Sequence, residues 1–337
     1  GVVRDPCLPK TAWPPTCSFD RLLGIDRTND DEAQWSLENR VTTTTPPTLL
    51  LAADDDRSVP SAAAIGLYDY AMNRLCGELG VKVLAIAGNH DSAERLASCA
   101  GLLDKAGLYL QGAARREPRV VEFADSQVFF LPWMTEEKIK SLYPEERDGI
   151  TDLTEAYRVA VNHMREKFIP GKHHLLLSHA FITNAETSTS DRAAEIGFAT
   201  QVPASVFEGF DYVALGHIHK PQQVNPFVRY SGSPMAYSFG KEERQEKSVT
   251  LIDTAAMTQQ VVPLPLLHRW TTLTDCYETL LAGEYPEEIR EGYVRLNVTD
   301  TAVGLDMLSR LRQVYPNALV VAGKTYDGED TTITLTM

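Results

Sequence analysis

The sequence predicts an α/β protein, and three observations lead to this class. Short runs of apolar, strand-forming residues alternate along the chain with segments of helical periodicity. Four of these apolar runs end in residues that can bind metal ions. The composition also changes near Pro265, where a smaller set of predicted strands and helices begins. Such alternation favours a sheet with ligands at the carboxyl ends of its strands.

The pattern starts as strand, helix, strand, helix. The strands are short apolar runs, and the helices carry apolar residues three and four positions apart. These elements are a strand at 48–53, a helix from Ser61 to Gly80, a strand at 81–87 and a helix at 93–106 closed by Gly107. The first strand leads into Asp54, and the second leads into the loop Gly88-Asn89-His90-Asp91.

The pattern then continues to residue 264. Further strands are predicted at 120–123, 128–131, 174–178, 212–215, 228–231, 248–252 and 259–264, with one long helix at 153–168. The strand at 174–178 ends at His179, and the strand at 212–215 leads into Gly216-His217-Ile218-His219. The ends of four apolar strands therefore carry candidate ligands.

A second, smaller domain is predicted after Pro265. Residues 293–298 and 318–321 have the pattern of strands, and residues 303–314 that of an amphipathic helix. No cluster of candidate ligands accompanies them. We therefore predict domains at 1–265 and 266–337, of which the second caps, dimerises or docks.

Composition and charge narrow the class of protein. With 337 residues and 43% hydrophobic content, the chain can bury a full core. A formal net charge of −14 is unfavourable for binding nucleic acid but does not exclude it, because bound metal ions supply local positive charge. The five scattered cysteines indicate reduced thiols, and no apolar run approaches the roughly 18 residues of a membrane span. We expect a soluble, cytoplasmic protein without a signal peptide.

The residues at the strand ends suit divalent metal ions. Borderline ions bind imidazole nitrogen together with hard oxygen donors, as in two-metal phosphoesterases. Each motif alone has a simpler explanation: Asn and Asp often close turns, a His-x-His pair can be solvated, and an acidic run such as 54–56 usually faces water. Their joint occurrence at successive strand ends is the stronger signal. It predicts cleavage of phosphate esters.

Several segments resemble the SbcD nuclease family of the calcineurin-like metallophosphoesterase superfamily, the bacterial relatives of the eukaryotic double-strand-break repair nuclease. They are Asp56-Arg57-Ser58-Val59-Pro60, residues 84–92 with Glu94-Arg95-Leu96, residues 210–219, Tyr230-Ser231-Gly232-Ser233-Pro234 and Ser238-Phe239. The resemblance runs from about Leu49 to the C-terminus. It implies a β-sandwich flanked by helices, with a small C-terminal α/β capping domain.

The resemblance also implies a centre of two divalent metal ions, most often Mn²⁺. Asp54 is similar in position to the family's bridging carboxylate, whose two oxygens reach both ions. Asn89, His179 and His217 are similar to the ligands of one ion, and His219 is similar to a ligand of the other.

Two further residues take their implied roles from the same resemblance. His90 would face the scissile phosphate, where it could protonate the leaving oxygen or stabilise the developing charge. Asp56 is similar in place to the carboxylate that orients this histidine in relatives.

The first 48 residues match the family poorly. Relatives carry Asp-x-His at the end of an apolar strand, and both residues serve the first metal. Here Asp20 stands in the position of the Asp, and Leu22, which cannot bind a metal, stands in the position of the His. Three explanations are open: an altered sequence, a lost metal site, or a site completed by other residues. We favour the first, because the strand pattern is lost over the whole region.

Three functions are consistent with these motifs. The first is a manganese-dependent DNA nuclease for DNA repair and recombination, with 3′–5′ double-strand exonuclease and single-strand or hairpin endonuclease activity. It would be the catalytic subunit of a complex with an SbcC-type ATPase. The second is a phosphodiesterase for a small nucleotide. The third is a metal-impaired protein that binds DNA or the ATPase without cutting. The family allows a homodimer, and no membrane partner is expected.

Overall fold

The computed structural model describes most of the chain from Thr48 onward. The described residues are 48–52, 62–188, 190–191, 201–266, 268–324 and 330–334 of 337. Four residues singled out in the sequence lie outside these ranges, namely Asp20, Leu22, Asp54 and Asp56. What the sequence predicts of them therefore stays a prediction.

Strands and helices alternate through the described residues, which confirms a mixed α/β class. The strands are β1 (Thr48–Ala52), β2 (Lys82–Ile86), β3 (Leu108–Gln111), β4 (Val120–Glu122), β5 (Ser126–Leu131), β6 (His173–His179), β7 (Phe181–Ile182), β8 (Gln201–Val202), β9 (Tyr212–Gly216), β10 (Gln222–Asn225), β11 (Val228–Tyr230), β12 (Ser248–Asp253), β13 (Thr258–Pro263), β14 (Trp270–Asp275), β15 (Tyr293–Ala302), β16 (Ala318–Lys324) and β17 (Asp330–Thr334). The α-helices are α1 (Ala62–Met72), α2 (Ala93–Leu96), α3 (Ala100–Leu103), α4 (Glu136–Leu142), α5 (Leu153–Arg165), α6 (Tyr277–Ala282), α7 (Glu287–Arg290) and α8 (Leu305–Leu311). Within the described ranges, no helix has the length and apolar character needed to cross a bilayer.

The described residues group into two units. The first unit takes those within Gly1–Thr187, Asp191–Ser233 and Ser248–Pro263. The second takes those within Ser188–Ser190, Pro234–Lys247 and Leu264–Met337.

Two sheets dominate the first unit. One is a three-stranded parallel sheet in the order β1-β2-β3. The other has six strands in the order β10-β11-β9-β6-β5-β4. Its four central strands β11, β9, β6 and β5 run parallel, and β10 and β4 pair antiparallel at the edges. The parallel strands direct their carboxyl ends to the same edge, as the sequence pattern predicts.

The two sheets pack face to face through one set of alternate side chains. The buried residues between them are Leu84, Ile86, Val121, Val128, Phe130, Leu175, Leu177 and Tyr212. These come from β2 on one sheet and from β4, β5, β6 and β9 on the other. Because successive strand residues point to opposite faces, their neighbours are available to pack against helices.

Helices cover the outer faces of both sheets. Met72 and Leu75 pack with Val83 and Leu110 on the outside of the smaller sheet. On the larger sheet, α5 contributes a buried stripe at helical spacing, Tyr157, Val161 and Met164. The first unit is therefore layered as helix, sheet, sheet and helix.

Two predicted helices differ from the structure. The helix predicted at 93–106 is broken into α2, α3 and a 3₁₀ turn, because Cys99 adopts a left-handed backbone conformation with φ 57°. The helix predicted from Ser61 to Gly80 is present as α1 followed by a π-helical segment, Asn73–Glu78. Its first apolar residues do not join the core, since Ile65 and Tyr68 are 53% and 43% exposed.

Some short elements were not predicted at all. They are β3, β10, β14, β17, α4, α6 and α7. Most have fewer than seven residues, which is too few to establish a periodicity. Sheet neighbours and helix packing, which the sequence does not display, define them instead.

The second unit is built on a four-stranded sheet in the order β14-β15-β16-β17. The first three strands are parallel and β17 is antiparallel. Helices α6 and α8 cover one face, where Leu280, Leu296, Leu311 and Tyr315 are buried together. Burial alternates along β15, as expected for a strand with one covered face.

Candidate functional site

The candidate site lies at the carboxyl ends of neighbouring parallel strands. His179 is the last residue of β6, and it pairs in register with Gly216, the last residue of β9. His217 therefore follows directly beside His179. The chain after β2 continues through Ala87 and Gly88 to Asn89. These placements follow from sheet order, so residues far apart in sequence meet at one edge.

The structure brings Asn89, His179 and His217 together. The distance from His179 Nε2 to Asn89 Oδ1 is 2.8 Å. The rings of His179 and His217 are 5.2 Å apart between centroids and nearly perpendicular. His90 joins the same group, since its Nε2 lies 3.3 Å from Asn89 Nδ2. The predicted ligands of one ion and the predicted phosphate-facing histidine are thus neighbours.

The loop Gly88-Asn89-His90-Asp91 divides its work between structure and site. Asp91 Oδ2 accepts a hydrogen bond from the backbone N–H of Gly88 at 2.7 Å. This bond closes the loop in the way that Asp commonly closes turns. It holds Asn89 and His90 between its two ends.

His217 has a strained backbone. Its φ is +106°, a region that residues with a side chain rarely adopt. Such strain persists only where the surroundings impose it, and it concentrates at functional positions. The turn after β9 thus directs the His217 side chain toward His179 at a cost in local backbone energy.

Trp133 completes the environment of the two histidines, and the sequence analysis missed it. Its ring stacks on His217 at 5.6 Å and meets His179 edge to face at 6.0 Å. Its backbone N–H donates to the carbonyl of Ala87 at 3.1 Å, which ties the end of β5 to the loop after β2. The available signal was its position two residues beyond the predicted strand 128–131, since the other site residues also follow strand ends.

Two buried tyrosines hold the backbone around His179. Tyr157 donates from its hydroxyl to the carbonyl of His179 at 3.2 Å. Tyr230 donates to the carbonyl of Ala180 at 2.6 Å and accepts from the N–H of Ile182 at 2.9 Å. Burial raises the pKa of both tyrosines, so both hydroxyls stay protonated and can donate.

The segment Tyr230-Ser231-Gly232-Ser233-Pro234 also supports His219. The backbone N–H of Ser233 donates to the carbonyl of His219 at 3.1 Å. Gly232 has φ +77°, and a Cβ there would lie 2.6 Å from the ring of Pro221. The turn therefore requires glycine at this position. This segment, more specific to the family than the histidine pairs, thus braces two predicted ligands.

His219 contacts a carboxylate that the sequence analysis did not identify. Asp191 Oδ1 accepts from the backbone N–H of His219 at 3.1 Å and lies 3.5 Å from its Nδ1. Asp191 is distant in sequence, and no local pattern marks it.

The donor chemistry of the site fits a divalent ion in part. Two atoms that each lie ~2.1 Å from one octahedral ion are about 3 Å apart, close to the separation of His179 Nε2 and Asn89 Oδ1. Among the residues that the structure describes, no group of three or more His, Cys, Asp or Glu side chains is arranged to hold a metal ion. The predicted carboxylate ligands Asp20 and Asp54 fall outside that part of the chain.

Replacing Tyr230 by phenylalanine is expected to lower the free energy of unfolding by about 1–3 kcal/mol, because the N–H of Ile182 loses its buried acceptor. Urea denaturation measures this change. Tyr315→Phe is the matched control: within the described part of the chain, the buried hydroxyl of Tyr315 makes no hydrogen bond. Equal stabilities of the two variants would contradict the bracing role of Tyr230.

Comparison with known proteins agrees with the resemblance. No family model matches the chain. It is 29% identical over 274 residues to the SbcD subunit of the SbcCD nuclease from Staphylococcus epidermidis, covering 80% of this chain and 72% of that protein. The SbcD subunit from Staphylococcus saprophyticus is 26% identical over 273 residues, with the same coverage of 80% and 72%. The predicted resemblance is thereby confirmed, and the chain belongs with the SbcD proteins.

Proposed function

We propose that this chain is a metal-dependent DNA nuclease, the catalytic subunit of an SbcC–SbcD-type complex in DNA repair and recombination. The observation that carries the proposal is the meeting of Asn89, His179 and His217 at the ends of parallel strands in a relative of the SbcD nuclease subunits. The layering of the first unit supports a metallophosphoesterase fold, since two facing sheets lie between helices. We expect the protein to work in the cytoplasm.

Two divalent ions are the proposed cofactors, and Mn²⁺ is the ion that we favour. Asn89, His179 and His217 would hold one ion and His219 the other, with Asp54 bridging and Asp20 completing the set. When bound, such a pair neutralises phosphate charge and activates water for in-line attack. The stacking of Trp133 on His217 excludes water from one side of the ligand set and limits rotation of the ring.

His90 is the proposed catalytic residue of the chain. It neighbours Asn89 in the loop after β2, so a phosphate placed beside the ligands would also be within its reach. From its ring nitrogen it would donate a proton or a hydrogen bond to the leaving oxygen. Asp56 would orient the imidazole and fix its tautomer.

The proposed substrates are DNA ends and hairpins, and the proposed partner is an SbcC-type ATPase. The names of the relatives support this assignment, because each identifies the protein as the SbcD component of an SbcCD nuclease. With a net charge of −14, the protein would depend on the metal pair and on local basic residues to attract phosphate. The second unit is the candidate region for docking or dimerisation.

Digestion of labelled duplex and hairpin DNA with added Mn²⁺, beside a small phosphodiester, tests the function. We expect the duplex to shorten from its 3′ ends and the hairpin to open, and we expect a chelator to stop both reactions. Asn89→Ala, which removes a proposed ligand, is the control for a contaminating nuclease. Cleavage of the small substrate alone would favour a nucleotide phosphodiesterase. Retention of DNA without cleavage of any substrate would favour the non-cutting binding protein.

A further inference from the structure

We infer that Asp191 is a positioning residue for His219, fixing the imidazole so that its Nε2 is presented to a metal ion. The inference rests on the proposed function, because it assigns His219 to the metal centre. It adds to that function a carboxylate that neither the motifs nor the resemblance identifies.

The first observation is the burial of the Asp191 carboxylate. Its side chain is 4% exposed, and that of His219 is 13% exposed. An ionised carboxylate is costly to bury unless hydrogen bonds and opposite charge compensate. Its placement against His219 is therefore a specific feature of the fold and not a solvated surface contact.

The second observation is that Asp191 contacts His219 at two points through one oxygen. Oδ1 accepts from the backbone N–H at 3.1 Å and lies 3.5 Å from the ring Nδ1. On the other side of the residue, Ser233 donates to the carbonyl of His219 at 3.1 Å. Backbone and ring are thus held together, which restricts both the position and the rotation of the imidazole.

The chemical consequence concerns the tautomer of His219. A carboxylate is an acceptor only, so its proximity to Nδ1 favours the tautomer with hydrogen on Nδ1. The lone pair is then on Nε2, the form in which a histidine binds a metal through that atom. Carboxylates that receive the second N–H of a ligand histidine fix its orientation and raise its basicity.

A matched contact elsewhere in the first unit provides the control. Asp211 accepts from the backbone N–H of His174 at 2.7 Å, and the same oxygen lies 3.9 Å from the ring Nδ1. This Asp–His contact resembles that of Asp191 but lies at the start of β6, at the end opposite His179. Asp211→Asn therefore removes a similar carboxylate without touching the site.

The first test measures Mn²⁺ binding by calorimetry in the full-length chain. Asp191→Asn is expected to weaken one of two Mn²⁺ sites by about 10–100-fold, while Asp211→Asn binds like the unaltered protein. Unchanged binding by Asp191→Asn would overturn the inference and leave the nuclease proposal intact. Failure of the unaltered protein to bind two ions would overturn both.

The second test needs neither metal nor substrate. In metal-free protein with isotope-labelled histidine, at alkaline pH, nitrogen and carbon chemical shifts report the tautomer of each ring. We expect the His219 signals, assigned by their loss in His219→Gln, to show the Nδ1–H form and to become a mixture in Asp191→Asn. A purely structural role would leave the tautomer unchanged. An Nε2–H form in the unaltered protein would overturn the inference even where the Asn variant does not fold.

Discussion

His179→Gln is expected to abolish Mn²⁺ binding at one site and to lower the rate of DNA cleavage by more than about 100-fold. Loss of a partner that only orients a ligand already costs about 10–100-fold, and loss of the ligand itself should cost more. His179 is fully buried and lies 2.8 Å from the other proposed ligand, Asn89, so a solvent molecule cannot easily replace its ring. Calorimetry and a cleavage assay measure the two effects.

His174→Gln is the matched control for that experiment. His174 lies on the same strand but at its start, and its ring stacks on Phe168 at 3.7 Å. We expect Mn²⁺ binding and cleavage to stay unchanged in this variant. If both variants lose cleavage equally, the effect is one of strand stability, and His179 is not a ligand.

His90→Gln is expected to show a different defect, with slow cleavage but normal metal binding. General acid catalysis contributes about 10²–10⁴-fold, so the rate should fall by that factor. Mn²⁺ affinity should stay within the error of the unaltered protein, because His90 is proposed to face the phosphate and not an ion.

A substrate with a better leaving group separates the two roles of His90. A nitrophenyl phosphodiester releases a stable anion that needs no proton, so the loss in His90→Gln should shrink on this substrate. An equal loss on DNA and on the nitrophenyl ester would contradict proton donation and would leave charge stabilisation as the role. Loss of Mn²⁺ binding would make His90 a ligand.

The strand ends were the part of the site that the sequence could predict. His179 and His217 each follow an unbroken apolar run, and such runs are strands whose direction can be inferred from the alternating helices. Parallel strands then bring their carboxyl ends together, as the pairing of His179 with Gly216 illustrates. The periodicity of buried residues in α5 was equally readable.

Contacts that depend on long-range packing could not be predicted. Trp133 and Asp191 reach the histidines only because the sheet order places β5 beside β6 and a distant segment beside His219. The break at Cys99 has the same origin: local periodicity favoured one helix, but Gly112 approaches Ala93 so closely that a Cβ there would lie 1.8 Å from its carbonyl oxygen. Tertiary contact overrides propensity at such places.

The central claim is that Asn89, His179 and His217 hold one of two metal ions, and a crystal grown with Mn²⁺ tests it most directly. We expect an anomalous peak at roughly 2.0–2.3 Å from Asn89 Oδ1 and from a ring nitrogen of each histidine. A second peak, near His219, is expected about 3.5–4 Å from the first. A map without a peak at Asn89 and His179, or with ions bound only at other residues, would contradict the claim.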